Sequence, residues 1–227
     1  MKPFVVALRA ALVTLVVTGI LYPLAVTGIA QLVFPDRANG SIVVDDKGRE
    51  VGSELIGQAF GDAAYVRPRP SANSYDAANS GGTNLATTSN KLRNGALDDP
   101  ATKDVDESFT GAAELAAAFR ADNAVPDATP IPADAVTRSA SGLDPHVSPD
   151  SARLQVPRIA RARGVAVDRV RAVIESYVEG RELGLLGEPR VNVLAVNLAL
   201  DRQFGRPVRA SPAPTSHVAE DGATMPK

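Results

Sequence analysis

From Ala10 to Phe34 the chain carries no charged side chain, and this run restricts the fold more than any other feature. At a rise of 1.5 Å per residue its 25 residues make a helix of about 37 Å, enough to cross a hydrocarbon core of roughly 30 Å with some tilt. Lys2 and Arg9 precede the run, and Asp36 follows it beside Arg37. The positive-inside rule then keeps residues 1–9 in the cytoplasm and carries the chain from residue 36 onward to the other side. Gly28 and Ala30 form a small-x-small pattern before Gln31, as a signal-peptidase site would. An uncharged stretch this long exceeds the 7–15 apolar residues of a signal peptide, so an uncleaved anchor over 10–34 is expected. Ala7, Ala11, Thr14 and Thr18 recur at helical spacing and stack small side chains where a partner helix could approach, although such residues are common in any membrane helix. Pro23 should kink the span.

The remaining residues suffice for one domain with its own core. With 24 Lys and Arg against 26 Asp and Glu, the balance excludes a basic nucleic-acid binder, and a single uncharged run excludes a many-pass membrane protein. There is no cysteine, which removes disulfides, thiolate metal sites and thiol nucleophiles.

Along the exported part, Ser41–Val44 and Arg49–Val51 read as two strands joined by a turn at Asp45-Asp46-Lys47-Gly48. Arg67-Pro68-Arg69-Pro70 must be extended, because each proline pushes its predecessor out of the helical region. An Ala-rich helix is predicted from Phe109 to Ala121, then a proline-rich connection from Asn123 to Pro149. Ser148-Pro149-Asp150 is a helix start. Ala152, Val156, Ile159 and Ala160 face the core of that helix, and Pro157 should bend it. Val170, Val173, Ile174 and Tyr177 give a second stripe that Gly180 can end. Val191–Leu200 fits helix or strand, with Pro189 favouring helix. The fold class is therefore mixed α/β: a domain over 36–204 on one N-terminal span, with a Pro-, Ala- and Ser-rich tail at 205–227 expected to be disordered.

Catalytic signals are few. His217 lies in the tail, so His146 is the only plausible base, and a hydrolase would need Asp144 and some serine to meet it. No Gly-x-Ser-x-Gly elbow occurs, and His146 reads better as a turn residue. With one domain histidine and no cysteine, no metal site is expected. Ser80-Gly81-Gly82-Thr83-Asn84 could place backbone amides around an anion, but it lacks the lysine of a phosphate-binding loop; a turn needing positive φ explains it as well. Arg153, Arg158, Arg161, Arg163, Arg169 and Arg171 form a basic cluster that could meet an acidic partner, with interspersed acids favouring a solvated mixed face. Gly187-Glu188-Pro189-Arg190 is either a partner contact or a turn with a weak surface ion pair.

Six phrases occur in order behind the span: Gly52-Ser53-Glu54-Leu55-Ile56-Gly57-Gln58, Arg69-Pro70-Ser71-Ala72, Ser80–Leu85, Ser141–Pro149, Gln155-Val156-Pro157-Arg158 and Asn197-Leu198-Ala199-Leu200-Asp201. As a set the sequence resembles the KdpC family, the C subunit of the Kdp potassium-transporting ATPase, over about residues 5–203. The resemblance implies a non-catalytic, single-pass inner-membrane subunit with an extracytoplasmic α/β domain. Such a subunit would assemble a channel-like subunit with a P-type ATPase subunit for ATP-driven potassium import. It implies contact with membrane lipid, and no tightly bound cofactor. It also brings an alternative, a catalytic chaperone that raises the ATP affinity of the ATPase subunit, with Ser80, Gly81, Gly82, Thr83 and Asn84 as the suggested nucleotide contact. Thr83 stands where the family usually has serine, and Val66 where an aromatic is usual. If the N-terminus is inside, residues 80–84 face the outside, where ATP is scarce, which argues against a direct contact. Ala7, Ala11, Thr14, Thr18, Arg158, Glu188 and Arg190 are the candidate partner contacts, and a membrane-anchored hydrolase using His146 is the remaining alternative.

Overall fold

The computed structural model describes residues 2–45, 47–95 and 109–207. Asp46, His217 and all but three residues of the 205–227 tail lie outside the described residues, so the tail's expected disorder falls outside them too.

The uncharged run is one continuous helix of 32 residues, Lys2–Val33, with none of its most apolar window buried against the chain. It begins earlier than Ala10, taking in Lys2 and Arg9. It comprises α1 (Lys2–Val16), a π-helical turn (Val17–Leu21) and α2 (Tyr22–Val33). The irregularity expected from Pro23 therefore appears as a widened turn just upstream, where the missing N–H and the ring disturb the ladder. Thr18 Oγ donates to the Thr14 carbonyl at 2.7 Å, so its hydroxyl is satisfied within the helix. Pro35 opens a one-turn helix, α3 (Pro35–Ala38), which ends the span.

A two-stranded antiparallel hairpin, β1 (Ile42–Val44) and β2 (Glu50–Ser53), stands at the foot of the span. Asp45 closes its turn, accepting from the backbone N–H of Lys47 and Arg49 and from the Arg49 guanidinium, which holds its carboxyl well below the usual carboxylate range. Ser53 Oγ donates to the Gly40 carbonyl at 2.7 Å and fixes the hairpin to the membrane exit.

The domain proper is a layer of helices on a three-stranded antiparallel sheet. Two helices, α4 (Asn90–Asn94) and α5 (Ala112–Asn123), precede β3 (His146–Val147). Then come α6 (Pro149–Arg163), α7 (Val167–Ser176), β4 (Val178–Glu179), β5 (Arg190–Asn192) and α8 (Val193–Phe204). The sheet order is β3-β5-β4, with Val191 of the central strand opposite both Val147 and Val178. Ile159, Val156, Val170, Ile174, Val191, Val196, Leu200 and Val66 form one buried core. Mixed helix and sheet is thus as expected, and the helix start at Ser148 is present: its Oγ accepts from Ser151 N at 3.1 Å.

Four local expectations are corrected. α7 ends at Ser176, capped at Tyr177, so Gly180 follows a strand instead of terminating the helix. Val191 and Asn192 are strand, and α8 starts only at Val193, because Asn192 caps it by accepting from Ala195 N. His146 is in β3, not a turn. Gly205 and Arg206 are bonded to the domain, Gly205 through its carbonyl to Arg163 and Arg206 to Asp45.

Candidate functional site

The prolines that force residues 67–70 into an extended path also deny that path a full strand partner. Two side-chain amides take the partner's place. Asn197 of α8 accepts from Val66 N at 2.8 Å and donates to Val66 O at 2.9 Å. Gln155 of α6 accepts from Arg67 N at 2.8 Å and donates to Arg67 O at 3.2 Å. Both amides are 1% exposed and Val66 is fully buried, so the Val66 backbone groups would otherwise be buried without a partner. Arg158 lies beneath, its three nitrogens donating to Asn123 Oδ1, Ala63 O and Gln155 Oε1 at 2.6–2.8 Å. Burial, with Arg67 nearby, pushes its pKa down to about 10. Arg163 donates to Ala64 O and Asp201 Oδ1, while Asp201 also accepts from Tyr65 Oη at 2.9 Å. Burial and that carboxylate push Tyr65 up to about 12.

Held this way, the segment delivers Arg69 and Ser71 to the loop Ser141–His146, where several of the quoted phrases meet. Arg69 Nη1 donates to Asp144 Oδ2 at 2.7 Å, and Ser71 Oγ to Gly142 O at 2.7 Å. Gly57 N donates to Leu143 O, and Gly81 N to Ser141 O. Gly142 has φ +68°, and a Cβ there would fall 2.4 Å from Asn73 Oδ1, so only glycine fits.

Beside this hub an open polar cleft of about 480 Å³ is lined by Ser71, Ser74, Gly82, Thr83, Lys91 and Arg138 among others. The Arg138 guanidinium lies 4.4 Å from the centre of the Phe109 ring and Lys91 Nζ 5.5 Å. Burial lowers the Arg138 pKa. Of the five residues suggested for a nucleotide, Gly82 and Thr83 line the cleft, while Ser80 Oγ and Gly81 N are turned onto the Ser141 carbonyl. Neither glycine has positive φ; the left-handed residue of the stretch is Asn84, at φ 55°. Gly82 is instead a place of close approach, where a Cβ would come within 3.0 Å of Ala140 O. Gly82 and Thr83 are only partly exposed there, and Arg138 Nη1 donates to Thr110 O at 2.9 Å.

His146 does not assemble a hydrolytic site. Its Nδ1 is 3.8 Å from Asp144 Oδ1, outside hydrogen-bond reach, and Arg69 holds the other carboxylate oxygen. Among the described residues no serine hydroxyl bonds to its ring.

The candidate partner contacts fall in three places. Ala7, Ala11, Thr14 and Thr18 are exposed along the span. Arg158 is buried, which corrects its placement on a solvated face; Arg163 is likewise internal, its side chain 2% exposed. Glu188 and Arg190 sit in the β4–β5 hairpin, paired with Arg181 and with Glu179 and Glu182 respectively. Sequence reasoning passed over residues just before them in the same hairpin: Leu183, Leu185 and Leu186 are all exposed. Leucines set among Gly180, Gly184 and Gly187, with no helical or strand period, were the available signal.

Residues 4–202 match the family described as "K+-transporting ATPase, c chain", KdpC. The Potassium-transporting ATPase KdpC subunit of Myxococcus xanthus is 56% identical over 212 residues, 92% of each chain. The subunit of the same name from Geobacter metallireducens is 46% identical over 200 residues, 86% of this chain and 95% of its own. That from Mycobacterium tuberculosis is 47% identical over 198 residues, 86% and 96% respectively.

Proposed function

The chain belongs to the KdpC family, the c chain of K+-transporting ATPases, and from that premise we propose that it is the accessory subunit that assembles and stabilises a channel-like subunit with a P-type ATPase subunit during ATP-driven potassium import. The observation that carries this reading is the bare helix Lys2–Val33. A 32-residue apolar helix whose most apolar window is left bare by the described residues is covered by lipid and by other membrane helices. The charges around it orient the N-terminus to the cytoplasm and the domain to the outside of the inner membrane. Among the described residues no catalytic constellation assembles, and ATP enters through the ATPase subunit. What this chain's residues supply is rigidity. The amides of Gln155 and Asn197, with Arg158 beneath, fix an extended segment that would otherwise be loose, and the Ser141–His146 hub joins the loops of Gly57 and Gly81 to it.

The test is purification from membranes through a tag on this chain. A channel-like subunit and a phosphorylatable ATPase subunit are expected in the eluate, and their absence would overturn the reading.

The chaperone reading is kept as a second one because the cleft beside Gly82 and Thr83 carries Lys91 and Arg138. It requires that cleft to face the cytosol. Since the chain has no cysteine, Thr83→Cys gives a single reporter. Labelling by a membrane-impermeant maleimide in intact cells favours the exported domain; labelling only after lysis favours the chaperone.

A further inference from the structure

We propose that residues 208–214, which follow the last described residue, form an extended strap in an aromatic-lined groove between β2 and α8, so that the chain's own tail ties its membrane-proximal hairpin to its last helix. The groove has a volume of about 580 Å³. Val51 of β2 and the loop 58–62 form one wall, and Leu194 and Leu198 of α8 the other. Phe60 and Tyr65 lie along it with ring centres 5.6 Å apart. The whole chain has only six phenylalanines and four tyrosines, so two rings together beside an open groove are not the chance yield of an aromatic-rich sequence.

The path of the backbone selects the occupant. Arg206 and Pro207 themselves line the groove, so the described chain ends inside it. The residues leading there are held: Arg163 donates to the Gly205 carbonyl at 2.8 Å, and Arg206 donates to Asp45 at 3.3 Å and lies 3.8 Å from Asp201. Proline confines the residue before it to extended backbone, which applies to Arg206 and, further on, to Ser211 and Ala213 before Pro212 and Pro214. A segment biased in this way settles on an aromatic-lined groove with little further loss of freedom. In extended backbone Val208, Ala210, Pro212 and Pro214 share one face, and Arg209, Ser211 and Thr215 fall on the other.

Charge agrees with this occupant. Asp62 is exposed at the groove; its Oδ1 accepts from Ala64 N at 2.8 Å, and among the described residues no cation pairs with it. Arg209 is the only charged residue in 208–214 and follows Pro207 by two positions, within reach of that rim. The tail of a second copy carries the same chemistry, but it competes with a segment already tethered at the groove, whose effective concentration there is roughly millimolar. The family match ends at residue 202, so the strap lies outside the part this chain shares with the family model.

The experiment uses the full chain in detergent micelles. Because the chain has no cysteine, Ala59→Cys in the groove wall and Ala210→Cys in the strap make a unique pair. Mild oxidation should close a disulfide within one chain at least tenfold faster than in a chain carrying Gln203→Cys with Ala210→Cys, since Gln203 is exposed on α8 and does not line the groove. Rates within twofold of each other, or a bond formed only between two copies, would overturn the strap. A second measurement needs no cysteine. Ending the chain after Pro207 should speed amide hydrogen exchange across β2 at least tenfold and leave α7 unchanged; exchange in β2 within twofold of the full chain would overturn the proposal. Both readouts use this chain alone, so their failure leaves the subunit reading untouched.

Discussion

At the scale of single residues, the domain relies on one arginine that the chain's charge pattern disguises. Arg158 is 6% exposed and donates to three acceptors from three different segments. Arg158→Met would fill much of the volume but leave the Ala63 carbonyl, Asn123 Oδ1 and one bond to Gln155 without a donor. At 1–3 kcal/mol for each buried group left unsatisfied, a loss of about 3 kcal/mol is expected in urea unfolding. Arg161→Met, on the exposed side of the same helix, should change stability by under about 0.5 kcal/mol. Equal losses would remove the distinction. His146 supplies a pH dependence with a definite sign. Burial lowers its pKa from 6.5 and Arg190 adds to this, while Asp144 and Glu179 oppose it. The folded state thus prefers the neutral ring, and protons bind more readily to the unfolded chain. The stability this gives is complete above the unfolded pKa near 6.5 and is lost as pH falls from there towards the lowered folded value. Urea midpoints between pH 8 and 5 should therefore drop more for the parent than for His146→Gln. Parallel curves for the two would contradict this assignment.

Among the elements, the junction of β5 with α8 does most to join the domain to its membrane foot. Asn192 ends the strand, caps the helix through Ala195 N, and donates to Glu54 O next to the β1–β2 hairpin. Asn192→Ala removes a cap worth about 1 kcal/mol and leaves a partly buried carbonyl without this donor. A total loss of about 2 kcal/mol is expected, with faster amide exchange in β2 as well as at the start of α8; exchange confined to α8 would show that the hairpin is held by other contacts. The same junction shows where the sequence was legible. Helices announced by local chemistry were readable: Ser148-Pro149-Asp150 starts α6, and the spacing of Val170, Val173 and Ile174 marks α7. Val191–Leu200 was ambiguous because strand and helix meet inside it, and both of its halves are buried. The phrases around Gln155 and Asn197 stood out only as resemblance, because their role is to satisfy the backbone of residues 88 and 131 positions away. No local pattern encodes such a pairing. Nor does any tell a buried arginine from an exposed one when both alternate with acids. The cleft was legible only through Gly82 and Thr83, since Phe109 and Arg138 reach it from distant loops.

For the whole molecule, the division of labour between span and domain is the claim with the widest consequences. The most apolar window of the span is uncovered by the described residues, and its side-chain hydrogen bonds to the rest of the described chain are those of Gln31 with Asn39, at its own foot. The domain core draws instead on Val66, α6, α7, α8 and the central strand, all beyond residue 60. A chain beginning at residue 35 should therefore fold in water with the same cooperative unfolding as the full chain in detergent, its stability differing by less than about 0.5 kcal/mol. A loss of more than about 1.5 kcal/mol would mean that helix and domain form one folding unit. The truncated chain should nevertheless fail to restore potassium uptake when it replaces the full chain in cells. The span confines the domain to the membrane plane and raises its effective concentration at the complex. Restoration of uptake by a freely exported domain would show that its own surface is sufficient for assembly. Failure, with stability intact, would place the contribution of Lys2–Val33 in location and helix packing instead of folding.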